Sequence, residues 1–214
     1  MNIYNVIILD ESGSMSSIYR ETLQSMNEVL GGIRKNQEEQ KDQQHNVTIV
    51  TFEGNGIKGV KTRRDRVPVE KIENFTEKDY RPGGCTPLYD AMGQTLNRLE
   101  GLVTKEDRVM ATIITDGYEN SSEEYSGSTI KSLVARLREK GWVFAYIGAN
   151  QDAIEVARDL NISNALNYDA SPEGVMEMGI RFCMASEKMS RGVARKAGAA
   201  FFDKLFEEEG DAEA

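Results

Sequence analysis

Short runs of apolar residues alternate with longer segments whose apolar residues recur every three to four positions. This alternation constrains the fold more than any other feature of the chain. A strand-length run with no polar face needs cover on both sides, which a parallel strand receives from helices packed above and below the sheet. Ile3–Leu9, Arg108–Thr115 and Trp142–Gly148 read as such strands, with Val47–Phe52 as the second strand and Ile162–Tyr168 as the final one. Met15–Gln40 reads as the first helix, with Ile18, Thr22, Met26, Val29, Leu30 and Ile33 at helical spacing. Leu88–Leu102, Thr129–Lys140, Asp152–Leu160 and a terminal helix opened by Ser171-Pro172-Glu173 follow. Ser16 or Ser17 is expected to cap the first helix. Pro87 and Pro172 are expected in the first turn of theirs, and Gly141 is expected to stop the helix before it. The terminal helix is read as running in pieces to Phe206, and Glu207–Ala214 as an acidic, frayed tail.

One hairpin interrupts the alternation. Gly54-Asn55-Gly56 suits a type I′ turn, and Ile57–Thr62, extending toward Val69, reads as an antiparallel edge strand. Its cations Lys58, Lys61, Arg63 and Arg64 suit an edge that must not recruit neighbours. Glu70–Asp79 is an unassigned connection, and Arg81–Pro87 a loop of turn formers. The fold class expected is α/β: a doubly wound, mostly parallel sheet with one antiparallel edge strand and helices on both faces. A chain of 214 residues suffices for one domain with a full core.

The net charge of -9 argues against electrostatic binding of nucleic acid. No apolar run approaches the roughly 18 residues of a membrane span, and the N-terminus does not read as a signal peptide. Cys85 and Cys183 are spaced neither as a zinc site nor as a disulfide framework. A reducing cytoplasm is the expected location.

In doubly wound sheets, ligands gather beyond the carboxyl ends of the strands, where the strand order reverses. Three polar loops are candidates for that edge. The first, Asp10-Glu11-Ser12-Gly13-Ser14, leaves the first strand; the second carries Thr86; the third carries Asp116. Together they offer two carboxylates and three hydroxyls, all hard oxygen donors suited to magnesium or calcium. A cation held mainly by neutral hydroxyls stays short of negative charge and takes one more anion from outside.

Asp-x-Ser-x-Ser after the first strand, a distant Gly-x-Thr-Pro-Leu loop and Thr-Asp-Gly after a later strand resemble a von Willebrand factor A domain with its metal-ion-dependent adhesion site. The strand–helix order is similar over about residues 3 to 190, and Thr86–Ala91 resembles the bacterial, intracellular members. The resemblance implies a domain over 1–190, with 191–214 as a C-terminal helix and acidic tail packed on it or extending from it. It implies Mg²⁺, with Mn²⁺ or Ca²⁺ as alternatives, held directly by Ser12 and Ser14, by Thr86 when a ligand is engaged, and mainly through waters by Asp10 and Asp116, or directly by Asp116 in an unliganded state. It implies a protein partner that supplies an Asp or Glu carboxylate, such as an AAA+ ATPase or a stress-resistance module of the tellurite type.

Other residues are expected to be structural. Glu11 is read as pointing to solvent, Asp90 as a helix surface residue, and Trp142 as core. Cys85 is read as loop filling, and Met176, Met178, Met184 and Met189 as helix packing. His45, the single histidine, is expected at the sheet edge opposite Ser14, too far to serve as a base for a serine nucleophile. Gly54-x-Gly56-x-x-Gly59 matches the dinucleotide-binding pattern in letters without its strand–turn–helix context. The enzyme alternative is a Mg²⁺-dependent phosphoester hydrolase using Asp10. The second aspartate usual in such enzymes is replaced here by Ser12.

Overall fold

The computed structural model describes residues 1–149 and 152–207. The expectation for the acidic tail, residues 208–214, lies outside the described residues. The strands are β1 (Asn2–Asp10), β2 (Gln44–Phe52), β3 (Val60–Pro68), β4 (Arg108–Thr115), β5 (Val143–Ala149) and β6 (Asn164–Tyr168). The helices are α1 (Tyr19–Glu39), α2 (Leu88–Glu100), α3 (Gly127–Glu139), α4 (Ala153–Asp159), α5 (Pro172–Ala194) and the short α6 (Ala199–Phe202).

The six strands form one sheet in the order β3-β2-β1-β4-β5-β6. All neighbours are parallel except the β2–β3 pair. The apolar strands have two covered faces, as their composition demands. On one face Ile3, Ile7 and Leu9 pack with Met26, Val29 and Leu30 of α1 and Val175 and Phe182 of α5. On the other, Val6 and Ile8 pack with Leu88 and Leu96 of α2, Ile130 and Val134 of α3, and Ala153 and Ala157 of α4. Trp142 is buried in this second core. The order reverses between β1 and β4, so the carboxyl ends of these two strands open the crevice in which this class of sheet binds its ligands.

Local chemistry explains most element ends. Ser171 Oγ accepts from the Gly174 N–H ahead of α5, with Pro172 at its first position. Asp152 accepts from the Ile154 and Glu155 amides ahead of α4. Gly141, at φ +85°, ends the α3 segment while the Trp142 N–H reaches back to the Leu137 carbonyl, a glycine-terminated helix end.

Four expectations are corrected. Ser16 and Ser17 do not cap the first helix. They lie within a 3₁₀ turn over Gly13–Ile18, and α1 begins behind it with no side-chain cap. The chain turns early because Ser12 is tied to Asp10 and Ser14 to Asp116. Gly54-Asn55-Gly56 does not form a type I′ turn around Asn55-Gly56, since Asn55 has φ -125°. A 3₁₀ turn over Gly56–Gly59 precedes β3 instead, pinned by bonds from the Gly56 N–H to the Ser121 carbonyl and from Ser121 Oγ to the Gly54 carbonyl. No helix follows these glycines, so the dinucleotide context is missing here. Pro87 stands at the cap position of α2, one residue before its first turn. Met178 and Met189 are buried, whereas Met176 and Met184 lie with Ile180 on the exposed side of α5.

Candidate metal centre

Asp10 is the last residue of β1, and Asp116 follows the last residue of β4. The register pairs Leu9 with Ile114, which brings Asp10 beside Thr115. Asp10 is fully buried. Its Oδ1 accepts from the Ser12 N–H at 2.7 Å and its Oδ2 from Thr115 Oγ1 at 2.5 Å. Ser14 Oγ lies 3.2 Å from Ser12 Oγ and donates to Asp116 Oδ1 at 2.5 Å. A methyl group built on Gly117 would stand 3.7 Å from Thr86 Oγ1 and 3.9 Å from Ser14 Oγ. The hydroxyl of Thr86 therefore faces the same small volume. All five expected residues meet at the switch point.

Burial pushes the Asp10 carboxyl up to about 6, against the hydrogen bonds from Thr115 and Ser12, and the neighbouring Asp116 adds to the rise. Burial also raises Asp116, against the bond from Ser14. Two desolvated carboxylates with hydroxyls between them form a cluster that a cation would stabilise in its charged form. Adjacent oxygens around Mg²⁺ lie about 3 Å apart, given metal–oxygen distances near 2.1 Å. The Ser12–Ser14 spacing is of this size. Among the described residues, no group of three or more His, Cys, Asp and Glu side chains is placed to hold a metal, so a cation here depends on the hydroxyls. The donor set fits a hard divalent ion. As a nucleophile Asp10 is poorly presented, because it is buried and both of its oxygens accept hydrogen bonds.

Two expectations about neighbouring residues are overturned. Glu11 does not point to solvent; it is 1% exposed. Arg63 of β3 donates to its Oε1 and Oε2 at 3.0 and 2.8 Å, and the Arg81 N–H to Oε1 at 2.5 Å. Side-chain alternation cannot reveal this, because the chain leaves β1 at Asp10 and the partner arginine comes from the edge strand. Asp90 is not a surface residue; it is 0% exposed and accepts from the amides of Glu123, Glu124 and Tyr125. The start of α2 makes no cap of its own. Instead Glu119 accepts from the Tyr89 N–H and Ser122 Oγ from the Asp90 N–H. Asn120, which carried no sequence signal beyond its place after Asp116-Gly117, pairs with both backbone groups of Thr86.

The remaining landmarks stand away from the site. His45 pairs with Ile3 at the start of β1, at the opposite edge of the sheet. Cys85 is exposed beside Thr86, with a free thiol. No helix among the described residues is long and apolar enough to cross a membrane.

Similar architectures occur in solved structures of low sequence identity. Proximal thread matrix protein 1 from the mussel byssus aligns at 15% identity and TM-score 0.58, over 85% of this chain and 45% of that one. One structure of that protein has a zinc-occupied MIDAS motif. The pilus adhesin SpaC from Lactobacillus rhamnosus GG, in an open conformation, aligns at 13% identity and TM-score 0.65, over 87% of this chain and 30% of that one. The VWA domain of SpRpn10 aligns at 12% identity and TM-score 0.56, over 83% of this chain and 93% of that domain. The chain thus spans less than half the length of the mussel and pilus proteins. No curated protein matches it. The family model for the von Willebrand factor type A domain matches residues 6–173, most of the sheet and the three loops of the site, and the chain belongs to that family.

Proposed function

We propose that the chain is a metal-dependent protein-docking module, in which Asp10, Ser12, Ser14, Thr86 and Asp116 hold a divalent cation that a partner's Asp or Glu completes. Domains of this family often serve as metal-dependent interaction modules and generally bind rather than catalyse. One observation carries the reading for this chain: the Ser14 hydroxyl sits between Ser12 Oγ and Asp116 Oδ1, at 3.2 and 2.5 Å. A bound cation would supply positive charge that neutral hydroxyls leave uncompensated, and so attract a further carboxylate. Asp10 keeps the serine loop folded, through its bond from the Ser12 N–H. Asp116 orients the Ser14 hydroxyl. Mg²⁺ is the ion proposed, with Mn²⁺ or Ca²⁺ as substitutes. The setting proposed is a bacterial cytoplasm, in which Cys85 and Cys183 remain thiols. The partner proposed is a component of a larger assembly, an AAA+ ATPase or a tellurite-type stress-resistance module.

Calorimetric titration with MgCl₂ and MnCl₂ tests the site. Saturable binding to the wild type is expected, with loss in Ser12→Ala/Ser14→Ala and in Asp116→Ala. Equal affinity in all three proteins would sink the assignment. Affinity capture with and without EDTA tests the docking role, which requires a partner that EDTA releases.

A further inference from the structure

Thr86 lies on a loop held from both sides, largely by residues outside the donor set. On one side is the serine loop. The Arg81 N–H donates to Glu11 Oε1 at 2.5 Å, the Gly83 N–H to the Glu11 carbonyl at 2.8 Å, and the Gly13 N–H to the Gly84 carbonyl at 3.1 Å. Tyr80 Oη adds a bond to the Asp10 carbonyl at 2.8 Å. Arg63 fixes the Glu11 carboxylate with two bonds and is itself anchored on Thr51 Oγ1 at 2.8 Å. On the other side is the loop after β4. The Thr86 N–H donates to Asn120 Oδ1 at 2.8 Å, and the Asn120 N–H to the Thr86 carbonyl at 3.2 Å. Glu11 thus carries part of the tie between the Thr86 loop and the serine loop, beside the Gly13–Gly84 and Tyr80–Asp10 bonds, and Asn120 ties Thr86 to the loop of Asp116.

We propose that Glu11 and Asn120 are positioning residues that set the cation-size preference of the centre, holding its three loops at a spacing that favours Mg²⁺ over Ca²⁺. The proposal rests on the docking-site reading above. Mg²⁺ requires near-octahedral oxygens at about 2.0–2.1 Å, whereas Ca²⁺ accepts six to eight oxygens at about 2.3–2.6 Å in adaptable geometry. A rigid frame therefore favours the smaller ion, and a loosened frame costs the smaller ion more. Residues that orient metal ligands typically change affinity by about 10–100-fold when replaced. A buried carboxylate that accepts at both oxygens from one guanidinium nitrogen, and also from a backbone amide, is a stiff charge-assisted link. An asparagine that pairs both the N–H and the C=O of one residue is another.

The test is calorimetry with Mg²⁺ and Ca²⁺ separately on the whole chain, with thermal unfolding in EDTA alongside. In Glu11→Gln, where a neutral amide faces Arg63, and in Asn120→Ala, Mg²⁺ affinity should fall about tenfold or more, while Ca²⁺ affinity changes less than about threefold. Asn120→Asp keeps the acceptor for the Thr86 N–H and should retain the wild-type Mg²⁺/Ca²⁺ ratio, even if its added charge strengthens both ions. An unchanged ratio in Glu11→Gln and Asn120→Ala would overturn the proposal. So would parallel losses of both ions that follow the melting temperature, since general destabilisation has no size preference. If Glu11→Gln fails to fold, Asn120→Ala decides alone. Ser12→Ala/Ser14→Ala separates the two levels: wild-type binding in that variant defeats the site reading itself, whereas its loss together with an unchanged ratio defeats only the positioning role.

Discussion

His45 should make this protein lose stability in acid, by an amount that a single substitution isolates. It is 1% exposed, and burial lowers its imidazole from 6.5 to about 4. Asn5 Nδ2 lies 3.3 Å from Nδ1, and Gln43 Oε1 lies 3.1 Å from Nε2. The neutral ring therefore accepts at Nδ1 and donates at Nε2, and a second proton would have to enter at Nδ1, against the Asn5 amide. The unfolded chain binds this proton near pH 6.5 and the folded chain only near 4, so the stabilisation is complete above 6.5 and is lost as the pH falls. Relative to neutral pH, the loss is about 2 kcal/mol at pH 5 and about 3 kcal/mol at pH 4, with a ceiling near 3.4 kcal/mol. Asp10, raised to about 6, acts in the opposite sense: it is protonated more readily when folded, and it offsets much of the His45 term as the pH drops below 6. The wild-type profile alone therefore tests nothing. The informative quantity is the difference between wild type and His45→Gln in urea unfolding with EDTA at pH 4 to 7.5. The variant starts less stable at neutral pH, with Asn5 and Gln43 repaired imperfectly, and the gap should close by about 3 kcal/mol toward pH 4. A gap that stays constant across this range would refute the account of a neutral, buried His45.

Further tests address the loops. Asp90→Ala removes the acceptor of three backbone amides and should destabilise by about 2–4 kcal/mol, measured by urea unfolding. Asp90→Asn keeps one amide oxygen as an acceptor and should lose less. Gly84 has φ +69°, and an added methyl would stand 2.7 Å from the Gly54 nitrogen. Gly84→Ala should cost about 1–3 kcal/mol in the same assay, whereas Gly83→Ala, with open space around it, should cost far less.

The sheet was readable because its central strands carry apolar side chains to both faces and its helices are periodic. β4 runs over Arg108–Thr115, as its pattern predicts. The convergence of Asp10, Ser12, Ser14, Thr86 and Asp116 was readable because each follows a strand or precedes a helix. What could not be read was the company they keep. The side chains of Glu11 and Asp90 look like ordinary surface carboxylates until their partners, Arg63 of β3 and the amides of residues 123–125, arrive from 52 and 33–35 positions away. The turn between β2 and β3 departs from type I′ for the same reason, although β3 pairs antiparallel to β2 as expected. Asn55 has the chemistry of a tight turn, but Ser121 binds the backbone on either side of it. Local propensity describes a segment alone, and these loops take their shape from one another.

The uncapped start of α2 makes the order of folding itself a testable matter. Its first amides find acceptors only in Glu119 and Ser122, some thirty residues later in the chain. Asp90, within the first turn, in turn satisfies amides of that later loop. Neither segment can finish without the other, so they should open as one cooperative unit. In native-state hydrogen exchange, the amides of Tyr89 and Asp90 should share a protection free energy with those of Glu123–Tyr125. As Thr86 and Asn120 belong to the same unit, a single opening event would expose the loop and take Thr86 out of its place at once.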